Sequence, residues 1–248
     1  MGYGMKILSI GNSFSQDAHK FLNKLATVYN IDINTTNLFI GGCSLETHWD
    51  NVINDKECYD LERNGNFTGQ KISIKRALKM EDWDIVTLQQ VSHLSGFPET
   101  YEPYLSSLAN VVRNNLCNTK LYFHQTWAYE TDSQHGGFAN YNNDQTEMYH
   151  CIKKASEIAA QTINAPIIPV GEVIQTLRET VPEFDYKNGG ISLCRDGFHL
   201  SLDYGRYAAA ATWLATFTNT KLSPGDFEDF DLKILSKIIV SINQICKF

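Results

Sequence analysis

Positive charge is scarce in this 248-residue chain: 21 Lys and Arg stand against 28 Asp and Glu, for a formal net charge of -7. Binding along a nucleic-acid backbone rests on clustered Lys and Arg that neutralise phosphates, so no nucleic-acid partner is expected. No apolar run approaches the roughly 20 residues that a bilayer span requires, which argues against membrane insertion. The six cysteines, Cys43, Cys58, Cys117, Cys151, Cys194 and Cys246, form no C-x-x-C pair. A zinc or dithiol site is therefore not expected, and the thiols read as reduced and structural. Glu46-x-His48 has no further ligands at metal-binding spacing, so no metal and no cofactor are expected. The first six residues lack the basic region and apolar segment of a signal peptide, and the expectation is a cytoplasmic protein. Repeats, low-complexity segments and linkers are also missing, which points to a single domain over residues 1–248.

What is present suits a compact globule: 43% of residues are hydrophobic and four are Trp. Short apolar runs rich in β-branched and aromatic residues occur at 6–10, 34–40, 84–88, 120–124 and 166–170 and predict five buried strands. Helical periodicity covers 19–29, 72–80, 101–116, 145–163, 171–179, 202–217 and 231–245. Strands that alternate with helices imply a parallel sheet covered on both faces, because parallel neighbours need crossover connections. Ligands of such sheets gather beyond the carboxyl ends of the strands. The segments there, GNSFS, GGCSLETHW, QQVSHLSG and HQTWAY, hold more Ser, His, Gln and Trp than turns require. The polar stretch 129–144, with Gly136 and Gly137, reads as a site loop or rim.

Ser13 in GNSFS follows the first predicted strand and precedes a helix, where free backbone N–H groups favour negative charge. A serine hydroxyl needs a base and an orienting group to become a nucleophile. Asp196 and His199 in DGFH, three residues apart, supply both if the carboxylate holds the imidazole Nδ1–H. Each feature alone has a plainer reading, with Ser13 as a helix cap and Asp196–His199 as a loop hydrogen bond; together they form a candidate triad. Trp127 reads equally as a sugar-stacking platform and as core packing, and His124 and Gln125 as possible hydroxyl partners. His48, Trp49, Ser92 and His93 stand in comparable places.

GNSFS resembles the nucleophile block of SGNH (GDSL-like) hydrolases, and DGFH resembles their D-x-x-H block. The resemblance follows the order of strands and motifs over nearly the whole chain. It implies a three-layer α/β/α sandwich on a flavodoxin-like, five-stranded parallel sheet. It also implies ester hydrolysis through an acyl-enzyme, with Ser13 as nucleophile, His199 as base and Asp196 as its carboxylate. Gly42 resembles the glycine whose N–H joins that of Ser13 in the oxyanion hole, with Gly41 as the alternative in alignment. Two departures stand out. Asn12 replaces the family Asp, and Leu-Gln-Gln replaces the block that carries an oxyanion Asn, so Gln90 or Gln89 is the expected amide donor. The substrate class implied is a small-molecule or glycan ester, with O-acetyl or short acyl groups on a carbohydrate. The rival readings are a noncatalytic carbohydrate-binding protein on the same fold and a lipase or thioesterase for longer chains.

Overall fold

The computed structural model describes residues 4–247. Residues 1–3, part of the stretch read for a leader, and residue 248, the end of the expected domain, lie outside the described residues. One sheet of seven strands runs through it, β1 Met5–Gly11, β2 Ile33–Phe39, β3 Tyr59–Arg63, β4 Asn66–Ile72, β5 Ile85–Leu88, β6 Lys120–His124 and β7 Ile167–Ile168, in the order β4-β3-β2-β1-β5-β6-β7. The helices are α1 Ser13–Val28, α2 Leu45–Ile53, α3 Ile74–Leu78, α4 Tyr104–Asn115, α5 Gln145–Thr162, α6 Val170–Thr180, α7 Tyr204–Thr218 and α8 Leu232–Ile245.

The period-2 alternation of the strands divides the core between two faces. Ile7 and Ile85 point toward α1, α6, α7 and α8, while Leu8, Ile10, Val86 and Leu88 point toward α2, α3 and α4. Helices therefore cover both sides of the sheet, as a parallel α/β arrangement demands. Helix α7 is buried along almost its whole length, and its run of four alanines, Ala208 to Ala211, lets it pack tightly between α1 and α6.

The five expected strands are those from β2 through β1, β5 and β6 to β7, all parallel to their neighbours. The expected five-stranded sheet is corrected to seven by an antiparallel hairpin, β3–β4, added beyond β2. Its sequence carries no apolar run because β4 is exposed except at Ile72. The available signal was Asn64-Gly65, whose residues take φ of 48° and 74°, the conformation of a tight hairpin turn. Helix α1 also begins at Ser13 rather than near residue 19, so the candidate nucleophile is the first helical residue. Strand β7 is two residues long because Val170 already belongs to α6.

Candidate active site

The carboxyl ends of β1, β2 and β5 open onto a cavity of about 620 Å³ lined by Ser13, Gly41, Gly42, His93, His135 and His199 among others. Asn12 organises its floor. As N-cap of α1 its Oδ1 accepts from Phe14 N at 3.0 Å, and the same oxygen accepts from Gln89 Nε2 at 2.8 Å. Its Nδ2 donates to the Cys43 carbonyl at 3.0 Å. One neutral side chain thus ties the nucleophile turn to the loops after β2 and β5. An aspartate there could accept the first two hydrogen bonds but could not donate the third.

Ser13 at the first position of α1 has a backbone N–H with no partner inside the helix, at the positive end of the helix dipole. Gly42 adopts φ of +64° with open space where a Cβ would stand, and it lines the same cavity. These two groups can present N–H donors to an oxygen that gains charge beside the Ser13 hydroxyl.

His199 Nδ1 lies 2.7 Å from Asp196 Oδ2, and Asp196 Oδ1 accepts from the His199 backbone N–H at 2.8 Å. Burial pushes the Asp196 carboxyl up, but the hydrogen bonds from His199 outweigh it and hold the group below the usual carboxylate range. The ring is thereby fixed with Nδ1 toward the carboxylate and Nε2 free to take a proton. Gly197 makes the turn possible: its φ is +83°, and a Cβ there would come within 2.8 Å of Ser133 Cα. The Gly197 carbonyl accepts from Glu130 N at 2.7 Å. Ser13 and His199 line one cavity without a direct hydrogen bond between them, a gap that catalytic groups commonly close around substrate.

Several expected substrate or oxyanion residues lie elsewhere. Gln90 is buried, its Oε1 accepts from Leu45 N at the start of α2 and from Val91 N, and its Nε2 donates to Thr100. Its amide hydrogens are committed away from the cavity, which corrects the expected oxyanion donor. Gln89 is committed too, donating to Asn12 and accepting from His124 Nδ1 at 2.8 Å. His124 is fully buried behind it, where desolvation and the nearby His19 lower its pKa to about 3, and it does not line the cavity. Trp127 is the core residue of its two readings: it stacks on Phe14 with ring centroids 4.0 Å apart and donates to the Phe198 carbonyl at 2.8 Å. His48 is buried against Tyr59.

The cavity wall instead comes from Gln16, Phe39, Val91, Ser92, His93, Arg195 and Phe198, and from His135 to Gly137 of the polar loop read as a rim. His93 and His135 stack with centroids 5.9 Å apart, and His135 Nδ1 accepts from Gly137 N. Burial and mutual repulsion lower the pKa of His93, and burial followed by His199 lowers that of His135, so both favour the neutral form. His135 belongs to the 129–144 loop expected at the rim, whereas Phe39 escaped the sequence reading because an aromatic at a strand end carries no spacing signal. Among the described residues no group of three or more His, Cys, Asp or Glu is disposed to hold a metal ion. No helix of the described residues is long and apolar enough to cross a membrane.

Residues 6–229 match a family model described as a domain of unknown function, DUF4886. The crystal structure of a DUF4886 family protein from Bacteroides uniformis ATCC 8492 is 36% identical, covers 99% of this chain and 96% of its own, and superposes with a TM-score of 0.91. A proposed SGNH hydrolase from Slackia heliotrinireducens superposes at 0.58 with 22% identity over 87% of this chain and all 100% of its own. The acetylxylan esterase Axe2 from Geobacillus stearothermophilus superposes at 0.53 with 14% identity over 88% of this chain and 94% of its own. No curated protein matches the sequence. With a family model spanning most of its length and a 36% identical relative of the same architecture, the chain belongs to the DUF4886 family, and its fold is that of the SGNH hydrolases.

Proposed function

We propose that the protein is a serine esterase that hydrolyses short acyl groups, acetyl foremost, from a carbohydrate. The observation that carries this reading is the Asp196–His199 pair, 2.7 Å apart, facing the same cavity as a serine at the first position of a helix. His199 Nε2 takes the Ser13 proton as Oγ attacks the ester carbonyl, and the imidazolium returns it to the departing alcohol. Water deprotonated by the same ring then releases the acid from acyl-Ser13. The N–H groups of Ser13 and Gly42 stabilise both tetrahedral oxyanions, a role in which a single donor is typically worth about 100- to 1,000-fold in turnover.

A carbohydrate alcohol suits the polar side of the wall, where Gln16, His93, His135 and Arg195 offer hydrogen-bonding edges. The apolar side, Phe39, Val91 and Phe198, suits the acyl methyl and would also accept a longer chain. The acetylxylan esterase among the structures of similar fold is consistent with the first preference.

The test is hydrolysis of nitrophenyl acetate, nitrophenyl octanoate and a panel of acetylated sugars by wild type and Ser13→Ala. Wild type should turn over acetyl esters, and Ser13→Ala should lose at least about 1,000-fold. A folded wild type inert toward every ester would refute the reading in favour of a binding protein. Faster turnover of octanoate than of acetate would replace the acetylesterase by a lipase or thioesterase.

A further inference from the structure

The carboxylate of Asp17 is fully buried on α1, one helical turn beyond Ser13. It receives Arg195 Nη1 at 3.0 and 3.1 Å, Arg206 Nε at 2.8 Å and the Leu200 backbone N–H at 2.9 Å. Arg195 and Leu200 bracket Asp196 and His199 in the chain. The same segment is closed on itself by Arg195 N donating to the His199 carbonyl and by an antiparallel bridge between Cys194 and Leu200. The loop that carries His199 is therefore a small closed unit, and both its ends are fastened to the helix that carries Ser13 through one carboxylate.

We infer that Asp17 is a positioning residue, which fixes the His199 loop over the Ser13 hydroxyl and so sets the rate of acyl transfer. The inference rests on the esterase reading. Ser13 and His199 come from opposite ends of the sequence and lack a hydrogen bond to each other, so their separation is set by whatever holds the two segments together. Helix α1 contributes a rigid spacer of one turn between nucleophile and anchor. A carboxylate with two guanidinium partners and a backbone donor is a directional clamp, because each oxygen accepts charge-assisted hydrogen bonds in fixed geometry. Packing assists from the other side, where Trp127 holds the Phe198 carbonyl, but it does not fix residues 195 and 200. Near-attack geometry is demanding, and a displacement of about 1 Å costs about 100-fold in rate.

Asp17→Glu keeps the charge for both arginines while it lengthens the arm by a methylene, and Asp17→Asn keeps the shape while it removes the charge. Asn243→Ala serves as a control for stability alone, since it cuts two hydrogen bonds to Leu222 away from the cavity. With nitrophenyl acetate, both Asp17 variants should lose about 10- to 100-fold in kcat with KM within about threefold of wild type. Asn243→Ala should melt earlier yet keep its kcat. The downfield proton resonance of the His199 Nδ1–H···Asp196 bond should persist in Asp17→Glu, since that pair travels with the loop. Wild-type kcat in a folded Asp17→Glu, equal loss of kcat in Asn243→Ala, or an Asp17→Glu chain that does not fold would overturn the inference. The last outcome would assign the carboxylate to the stability of the fold. Lack of turnover by wild type itself would strike the esterase reading instead.

Discussion

Gln90 shows how one residue type serves two purposes that sequence does not separate. Its amide has the donor chemistry of the oxyanion asparagine that it stands in for, and it follows β5, where such a donor belongs. The fold spends that amide on Thr100 and its oxygen on Leu45 and Val91, so Gln90 ties α2 and the segment before α4 to the end of β5. Gln90→Ala should therefore destabilise the protein by about 1–3 kcal/mol, the cost of stranding buried partners. Its kcat on acetyl esters should stay within about threefold of wild type, where loss of a true oxyanion donor costs about 100-fold or more. Denaturant unfolding alongside ester kinetics separates the two, and a 100-fold loss of kcat at unchanged stability would restore Gln90 to the oxyanion hole. Ser13 and Gly42 follow β1 and β2, and Asp196 and His199 sit three residues apart in one turn, so the short blocks GNSFS, GGC and DGFH made them candidates that the fold brings to one cavity, all but Asp196 lining it. The wiring behind them was not legible, since Asn12 meets Gln89 and Cys43 across 77 and 31 positions of sequence.

At the scale of elements, α1 and the DGFH turn face each other across an aromatic layer. Phe14 lies between Trp127 and the His199 ring, whose centroid is 6.1 Å from that of Phe14, and Phe198 packs on His199 at 4.1 Å. The five parallel strands were readable because buried strands carry apolar runs, whereas β4, exposed on both faces except at Ile72, needs none. The hairpin nevertheless reaches the site: buried Glu62 of β3 accepts from Gln16 and Asn37, and Asn37 Oδ1 accepts from Ser15 at the start of α1. In the aromatic layer, Trp127→Phe keeps most of the packing and removes the N–H that holds the Phe198 carbonyl. We expect a loss of about 1–3 kcal/mol in stability and a fall in kcat with KM for acetylated sugars nearly unchanged. A raised KM for sugar esters at unchanged kcat would mark Trp127 as a sugar platform after all.

Across the whole molecule, three buried histidines make stability depend on acid more steeply than the net charge suggests. His19, His48 and His124 are each fully buried, and desolvation lowers each pKa from 6.5 to about 3, with His19 adding to the effect at His124. Their polar contacts are neutral: Ser9 for His19, Tyr59 and Cys43 for His48, and Gln89 for His124. A histidine whose folded pKa is depressed refuses a proton that the unfolded chain accepts, so stability is complete above about pH 6.5 and is lost as pH falls below it. Each such group contributes a slope of up to about 1.4 kcal/mol per pH unit down to its folded pKa. Glu62 acts in the opposite sense, because burial raises its pKa and its protonation on acidification favours the folded state. One carboxyl does not offset three imidazoles, and Asp196, whose pKa is lowered, adds to the loss in acid. Melting temperature should accordingly be nearly flat between pH 7 and pH 8, fall steeply between pH 6 and pH 4.5, ahead of bulk carboxylate protonation, and fall again above about pH 9, where the unfolded chain ionises thiols that burial keeps protonated in the fold. His48 bonds only the neutral groups of Tyr59 and Cys43, and His48→Gln should flatten the dependence by about one proton in urea titrations run at several pH values. An unchanged slope in that variant would mean that acid unfolds the protein through its carboxylates and that His48 takes no part.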